Sequence, residues 1–269
     1  MLSVILSFGP VTLYSLGFLM AIGAFLLSFI IWRRLKDLGL KEEKILDFII
    51  ISLLLGFFFA RLFFLIEHFD KFGFSFSRWL LFVRYPGFSF WGWILGFFLS
   101  LRWFVKKEKW DFLRVADETT FGALPFLILI QVGQFLDGSG FGHFTSMPWG
   151  VFAPGSLLKR HPVSLFLATL LLLIWLLLLR VERHWRTWNW LKNKESGFIS
   201  LMALIMTFFV SVPLAFLDDS KVYFYWLKIG LAVVFFILST TFFYGYIGRS
   251  FKKLFVKKDG QNKEKQEEE

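Results

Sequence analysis

Apolar residues occur along this chain in seven long runs that are separated by short polar segments. A helix needs about 20 apolar residues to cross the hydrocarbon core of a bilayer, and each run approaches or exceeds that length. The runs are 12–32, 46–67, 88–105, 118–136, 162–180, 197–217 and 223–248. The pattern predicts an all-α integral membrane protein of about seven transmembrane helices, with one domain over 1–248. The remaining segment, 249–269, is basic and then acidic, which predicts a disordered cytoplasmic tail.

The basic residues predict the orientation of the spans, because short cytoplasmic loops are enriched in Lys and Arg. Twenty-two of the 30 Lys and Arg residues fall in the first, third and fifth loops and the tail, whereas the other loops hold six. The N-terminus is therefore predicted outside and the C-terminus inside. The net charge of +10 is then explained by inner-leaflet headgroups and requires no nucleic-acid partner.

The composition supports the membrane prediction and restricts the chemistry. Hydrophobic residues make up 57% of the chain and Phe alone numbers 39, which is unusual for a cytosolic domain. The chain contains no Cys, which excludes disulfides, thiolate metal ligands and a cysteine nucleophile. Any thiol in its chemistry would come from a substrate. No metal and no cofactor are expected. The first run is predicted to be a retained helix because no basic segment precedes it.

The segment 131–154 is polar and rich in glycine directly after the fourth apolar run, and reads QVGQFLDGSGFGHFTSMPWGVFAP. Irregular backbone at membrane depth is tolerated only where protein buries it or where it lines a cavity. The predicted orientation places this segment at the outer mouth of the fourth span. The sequence therefore predicts an outward-facing polar cavity there.

Two basic side chains fall within the predicted spans, and an intramembrane charge is a candidate for function. Lys228 lies near the outer end of the last run, where it can extend to the interface. Arg61 can bind a phosphate or form an ion pair with Glu67, and the sequence does not decide between the two. The residues predicted to converge on the cavity are Arg61, Gln131, Gln134 and Asp137.

Motifs spread over residues 8–237 carry a family resemblance. They are FGPVTLYSLG near the start, ARLFFLIEH around Arg61, the glycines at 133, 138 and 142 with PWGV at 148–151, and Arg160-His161-Pro162. In order and spacing they resemble the GPV–aromatic–YGL, G-A-R-L-Y-Y-V, R-I-G-N-F-F-N-G-E…P-W-G-V and R-H-P segments of the phosphatidylglycerol–prolipoprotein diacylglyceryl transferases. Asp117 also stands fourteen residues before Gln131, as an aspartate does before the signature arginine of that family.

The resemblance implies a bacterial enzyme of the cytoplasmic membrane that moves a diacylglyceryl group from phosphatidylglycerol to the lipobox cysteine of a preprolipoprotein. The implied partners are an anionic phospholipid, the lipobox segment and the membrane. The catalytic positions that it implies are Gln131, Asp137 and His143. The substrate-binding positions that it implies are Arg61, Gln134, Gly138, Ser139 and His161.

Most charged residues of the family pattern are replaced in this chain. Positions that carry a functional residue or glycine in the family are replaced as follows: Trp91 for histidine, Trp93 for glycine, Gln131 and Ser211 for arginine, Gln134 and Asp137 for asparagine, Leu16, Phe166 and Thr207 for tyrosine, Ser164 for glutamine, and Ser139, Leu167 and Ala215 for glutamate. Two interpretations stay open: a divergent transferase, and a catalytically inactive lipid- or partner-binding membrane protein on the same fold. An unrelated transporter is disfavoured because no twofold repeat is evident.

The glycines and histidines of the polar segment also have structural interpretations. Gly138 and its neighbours can bind a headgroup phosphate through backbone amides, or they can permit tight turns. His143 can bind phosphate, transfer a proton or lie solvated in a loop. His161 can act on the substrate, or with Pro162 it can simply begin the fifth helix.

Overall fold

The computed structural model describes residues 4–8, 11–69, 73, 87–185 and 197–218, together with isolated residues between 226 and 241. Most of them lie in six helices. These are α1, Ser15–Asp37; α2, Glu42–Glu67; α3, Phe90–Glu108; α4, Phe112–Asp137; α5, Val163–Trp185; and α6, Phe198–Ala215. Two short antiparallel pairs join β1, Val4–Phe8, to β2, Val11–Tyr14, and β3, Val151–Phe152, to β4, Lys159–Arg160.

Five of the described helices are long and apolar enough to cross a membrane, namely α1, α2, α4, the Val163–Arg183 part of α5, and α6. The predicted class, a helical multi-pass membrane protein, is confirmed. Helix α3 matches the third predicted run but is not among the five. Four charged residues lie in its last seven positions, which shortens its apolar part. Most of the run 223–248 and all of the tail 249–269 lie outside the described residues. The number of seven spans and the orientation stay predictions; below, "outer" means the predicted outer side.

The predicted start of the first span is wrong. Residues 12–14 belong to β2, and α1 begins only at Ser15. Strand β2 pairs with β1, so the first apolar residues make hydrogen bonds to a neighbouring strand before the helix begins. A short apolar strand followed by an apolar helix has the same hydropathy as one longer helix, which is why the pattern gave no sign of this hairpin.

Helices α2 and α3 pack with their backbones in close approach. Small residues lie four apart on each helix, where a helix presents one face. They are Ser52, Gly56 and Ala60 on α2 and Gly92, Gly96 and Ser100 on α3. A methyl group built on Gly96 would collide with the Leu55 carbonyl, and the Ser100 hydroxyl donates to the Ser52 hydroxyl over 2.8 Å. These contacts place the two helices antiparallel.

Helix α4 lies at the centre of the described helices, packed against α1, α3, α5 and α6, and is the most buried of the candidate spans. At its inner end, the Arg34 guanidinium of α1 bridges two carboxylates, Glu118 of α4 at 2.8 Å and Glu182 of α5 at 2.9 Å. It also lies 3.8 Å from the centre of the Phe121 ring. One partly buried cation therefore joins three helices.

Asp117 of α4 caps the first turn of α6. Its carboxylate oxygens accept hydrogen bonds from the Gly197 amide over 2.6 Å and the Ser200 amide over 2.7 Å. Carboxylates stabilise helix N-termini because the first amides of a helix have no partner within it. The aspartate that stands fourteen residues before Gln131 thus fixes α6 against α4, and the opposite end of α6 meets the polar segment.

Candidate functional site

The candidate site begins where α4 ends, at Asp137. Gly138 follows with φ of +91°, a conformation that side chains disfavour, and a Cβ there would come within 2.7 Å of the Pro154 ring. The Gln134 carbonyl accepts from the amides of Gly138, Ser139 and Gly140 over 3.1 to 3.2 Å. These three amides are thus used to end the helix and are not directed at a ligand.

The Gly142 amide is also occupied, because it donates to the His161 carbonyl over 2.8 Å. A phosphate cradle made from the amides of 138, 140 and 142 therefore does not form in this conformation. The glycines instead allow close approach: side chains at Gly140 and Gly142 would collide with Ser164 and with the Leu217 carbonyl, respectively. The contribution of Gly138 and Ser139 to substrate binding stays a prediction.

Three predicted site residues lie three positions apart on one face of α4, over its last two turns: Gln131, Gln134 and Asp137. Gln131 is 3% exposed. The Gln134 side-chain amide donates to the Phe88 carbonyl over 3.0 Å. The Asp137 Oδ2 atom is buried and has no hydrogen-bond partner among the described residues. This face thus offers two amides and one carboxylate oxygen.

Arg61 of α2 is brought to the same end of α4. Its guanidinium donates to the Gly87 carbonyl over 3.1 Å and lies 5.6 Å from the Phe64 ring centre. Gly87 and Phe88 are consecutive, so Arg61 and Gln134 bind neighbouring carbonyls of the short segment that precedes α3. Arg61 and Gln134 thus contact the same short segment, whereas no described contact joins Arg61 directly to Gln131 or Asp137. The convergence of all four residues on one cavity stays a prediction.

The two histidines of the polar segment lie beside each other on adjacent backbone segments. The His161 amide donates to the His143 carbonyl over 3.1 Å, and the His143 amide donates to the Leu217 carbonyl, just beyond α6, over 2.9 Å. His143 is exposed and His161 is half-buried. Both histidines therefore lie on the outer side, where α4 and α6 finish and α5 begins.

Trp149 of the PWGV sequence restricts the chemistry of His161. The indole nitrogen lies 3.3 Å from His161 Nδ1. An indole N–H can only donate, so Nδ1 is the acceptor, and the neutral imidazole carries its proton on Nε2. In this arrangement His161 presents an N–H donor to a ligand.

Aromatic and hydroxyl groups occupy the positions where the family pattern has a histidine and an arginine. Trp91 stacks on Phe208 of α6, with ring centres 5.6 Å apart and planes 10° apart. The Ser211 hydroxyl donates to the Phe208 carbonyl over 2.9 Å. The Trp91 ring therefore contributes to the contact between α3 and α6, whereas the Ser211 hydroxyl is bonded within α6.

Two contributors to the site were missed at the sequence level. The Gly87 carbonyl binds Arg61, and the Ser164 hydroxyl donates to the Gly140 carbonyl over 2.9 Å, which fixes the polar segment to α5. The Tyr-Pro-Gly sequence before α3 signals a turn at Gly87, but it does not say which side chain the turn carbonyl will meet. Nothing in the local sequence distinguishes Ser164 from an ordinary helix-start serine.

The arrangement suits binding of an anionic headgroup next to a hydrocarbon phase. Arg61 supplies a positive charge, the glutamines and His161 supply neutral donors, and Asp137 and His143 can accept protons or hydrogen bonds. The described residues contain no group of acidic and histidine side chains that would hold a metal ion. The charges and donors present fit a phosphate ester and its glycerol hydroxyls.

Comparison with known proteins identifies relatives. The family model described as prolipoprotein diacylglyceryl transferase matches residues 3–245. The phosphatidylglycerol–prolipoprotein diacylglyceryl transferase of Clostridioides difficile (strain 630) is 29% identical over 150 residues, which cover 56% of this chain and 59% of that protein. The protein of the same name from Paracidovorax citrulli (strain AAC00-1) is 37% identical over 113 residues, 40% of this chain and 42% of that one.

A third protein of that name, from Pseudoalteromonas atlantica (strain T6c / ATCC BAA-1087), is 28% identical over 182 residues, or 64% of each chain. The matched segments span less than two thirds of the length of each of these three relatives.

Proposed function

Because the chain belongs to the prolipoprotein diacylglyceryl transferase family, we propose that it transfers a diacylglyceryl group from phosphatidylglycerol to the lipobox cysteine of a preprolipoprotein in the bacterial cytoplasmic membrane. The observation that carries the proposal is the convergence of Arg61 and Gln134 on the Gly87–Phe88 carbonyls at the end of α4. That end of α4 is where the family signature falls, and it is where a phosphate at the membrane surface would meet a cation.

The reaction needs a sulfur–carbon bond to form while a carbon–oxygen bond breaks. The cysteine sulfur would attack the glycerol carbon that carries the phosphate ester, and glycerol phosphate would leave with the electrons of the broken bond. The thiol proton must pass to a base. No electron is gained or lost overall, so no redox cofactor is required; the protein's part is charge stabilisation and alignment of the two reactants.

Each site residue receives a role on this basis. Arg61 binds the phosphate, and Gln131, Gln134 and the Nε2–H of His161 add hydrogen bonds to its oxygens. His143, the exposed imidazole of the polar segment, accepts the thiol proton. The buried Asp137 Oδ2 accepts a hydrogen bond from a headgroup glycerol hydroxyl, while Gly138 and Ser139 shape the helix end around it.

Complementation tests the proposal. A bacterial strain depleted of its own diacylglyceryl transferase should regain growth when this chain is expressed, and mass spectrometry should find diacylglyceryl on the N-terminal cysteine of a lipoprotein. A His143→Gln variant that keeps the fold should lose most of this modification, since removal of a general base typically lowers the rate by about 100-fold or more. An exposed serine of the same segment offers a matched control, and Ser146→Ala should complement like the wild type.

If the membrane-inserted, monodisperse protein binds phosphatidylglycerol but leaves the lipoprotein unmodified, the transferase proposal is wrong. That outcome would favour the inactive lipid-binding interpretation. Full modification by His143→Gln would instead reject only the assignment of the base.

Arg61→Ala should weaken binding of phosphatidylglycerol. A hydrogen bond to a charged group contributes about 1.5–3 kcal/mol, so we expect at least a roughly tenfold loss of affinity by native mass spectrometry of the detergent-purified protein. Arg61→Lys should retain part of the binding because it keeps the charge but loses the planar fork. Arg114→Ala, at the exposed inner end of α4, is the matched control and should bind normally. Equal affinity of Arg61→Ala and wild type would remove Arg61 from the site.

A further inference from the structure

The β3–β4 hairpin carries large apolar side chains that the rest of the fold does not cover. Phe152 is 58% exposed, Leu157 95% and Leu158 59%. Single exposed leucines are ordinary, but three large apolar side chains exposed within one short hairpin call for a partner. These residues lie in the connection between α4 and α5, so lipid contact along a spanning helix does not explain them. Together with Lys159 they are called the hairpin tip.

Hydrogen bonds hold the hairpin tip in its exposed position. Strands β3 and β4 pair along both of their residues. In the turn, the Ser156 hydroxyl donates to the Leu158 carbonyl over 2.9 Å and accepts from the Leu158 amide over 3.3 Å. The Ser156 amide donates to the Ala153 carbonyl over 3.0 Å. The turn is thus closed on both sides of Leu157, whose side chain projects from a formed structure.

The hairpin is fixed at the outer end of α4. Pro154, in its turn, lies so close to Gly138 that a Cβ on Gly138 would approach the proline ring to 2.7 Å. Gly138 directly follows the last residue of α4, which is one of the candidate membrane spans. The hairpin tip therefore lies beside the end of a candidate span, and a bilayer crossed by α4 would place its interface near this end.

Cationic groups accompany the apolar ones. The Lys159 ammonium lies 5.8 Å from the centre of the Phe152 ring, and the Arg160 guanidinium lies 4.2 Å from that of Phe144. At a membrane interface, a cation can bind a lipid phosphate while the neighbouring apolar side chain enters the acyl region. This combination of charge and apolar surface complements an anionic leaflet.

We propose that the hairpin tip inserts into the outer leaflet, with Leu157 and Leu158 below the headgroups and Lys159 on the phosphate of an anionic phospholipid. The tip would act as a membrane contact separate from the spanning helices and beside the candidate site. It does not depend on the transferase activity, because insertion is measured as depth in the bilayer and needs no turnover.

Single-cysteine spin labelling tests the insertion directly, since the chain has no native Cys. The label is placed in Leu157→Cys, and the protein is reconstituted in nanodiscs that contain phosphatidylglycerol. Lipid and water references are Leu173→Cys, 57% exposed in the middle of α5, and Lys41→Cys in the exposed turn before α2. Relaxation by oxygen should exceed relaxation by an aqueous nickel complex at Leu157→Cys, as at Leu173→Cys.

The charge contribution has its own comparison. Adding Lys159→Gln to Leu157→Cys should lower the ratio of embedded to water-exposed label about fivefold, the effect of roughly one basic residue at an anionic surface. Nanodiscs of phosphatidylcholine alone should lower it as well.

Three results would overturn the proposal. The first is a label at Leu157→Cys that is as accessible to nickel as the label at Lys41→Cys. The second is a depth that neither Lys159→Gln nor neutral lipid changes. The third is protection that appears only when a lipobox peptide is added, which would assign the hairpin tip to the acceptor polypeptide. Because Leu157 is almost fully exposed, its substitution removes no core packing, and an unchanged thermal midpoint confirms that the fold is intact.

Discussion

Leucine in place of Gly96 is expected to prevent stable folding of the helical bundle. A Cβ alone at this position collides with the Leu55 carbonyl, and that carbonyl cannot move without breaking the α2 backbone ladder. A Cβ on Gly92, one turn earlier in α3, would likewise collide with the Phe59 carbonyl. Because the two backbones touch at both glycines, α2 and α3 cannot move apart at Gly96 alone. Inserting a large side chain into a well-packed contact destabilises by about 1–3 kcal/mol, and a collision with backbone lies at or above that upper figure.

Size-exclusion chromatography in detergent and the thermal midpoint measure the effect. Gly96→Leu should elute as aggregate or show a strongly lowered midpoint, whereas Gly17→Leu is the matched control. Gly17 also lies in a candidate span, α1, but a Cβ there has nothing within 4 Å. Wild-type stability of Gly96→Leu would mean that α2 and α3 do not approach as closely as described.

The helical class could be predicted from the sequence because membrane-spanning helices leave a strong signal. A run of about 20 apolar residues is rare by chance, and the bilayer permits few alternatives to a helix. The close contact of α2 with α3 was only partly visible. The four-residue spacing of Gly92, Gly96 and Ser100 indicates a packing face, but not which helix lies against it.

Helix ends were harder to predict than helices, since local hydrogen bonds decide them. Residues 12–14 form a strand because β1 is there to pair with them. Helix α4 begins at Phe112, six residues before the predicted span, because the Asp111 side chain accepts hydrogen bonds from the amides of Leu113 and Arg114. A hydropathy pattern contains no information about hydrogen-bond partners such as β1 or the Asp111 side chain.

The candidate site illustrates the same limit at longer range. The structure continues the helix to Asp137, so Gln131, Gln134 and Asp137 lie three residues apart in α4 rather than in irregular backbone. Arg61 and Gln134 donate to the carbonyls of two consecutive residues in another segment. These contacts join residues far apart in sequence, so a local pattern cannot predict them. Likewise, the glycines of the polar segment are compatible with turns and with a phosphate cradle. Only the carbonyl partners of their amides, which the structure shows, decide between the two.

Restoring the charged residues of the family pattern is expected to accelerate transfer. The variant combines Trp91→His, Gln131→Arg and Ser211→Arg. In the wild type, a stacked indole and neutral polar groups occupy these positions, and Arg61 carries the positive charge that we assign to the phosphate. The negative charge on the leaving phosphate grows as its carbon–oxygen bond breaks. Added arginines would therefore stabilise the transition state more than bound phosphatidylglycerol, which raises kcat more than it lowers KM.

A donor of this kind contributes about 100-fold in rate, and single-turnover transfer to a lipobox peptide should rise by that order in the triple variant. Gln131 is 3% exposed and Ser211 6%, so the new cations need partners. The buried Asp137 Oδ2, which has no hydrogen-bond partner among the described residues, lies six residues beyond Gln131 in α4. Trp91→His alone introduces no permanently charged side chain. Its transfer rate can be compared with that of the wild type if the triple variant is unstable. Ser146→Arg adds a cation at an exposed position of the polar segment and should leave the rate unchanged. Should the folded triple variant transfer no faster than wild type, this chain does not stabilise its leaving group through these positions, and Arg61 with its neutral donors would have to suffice.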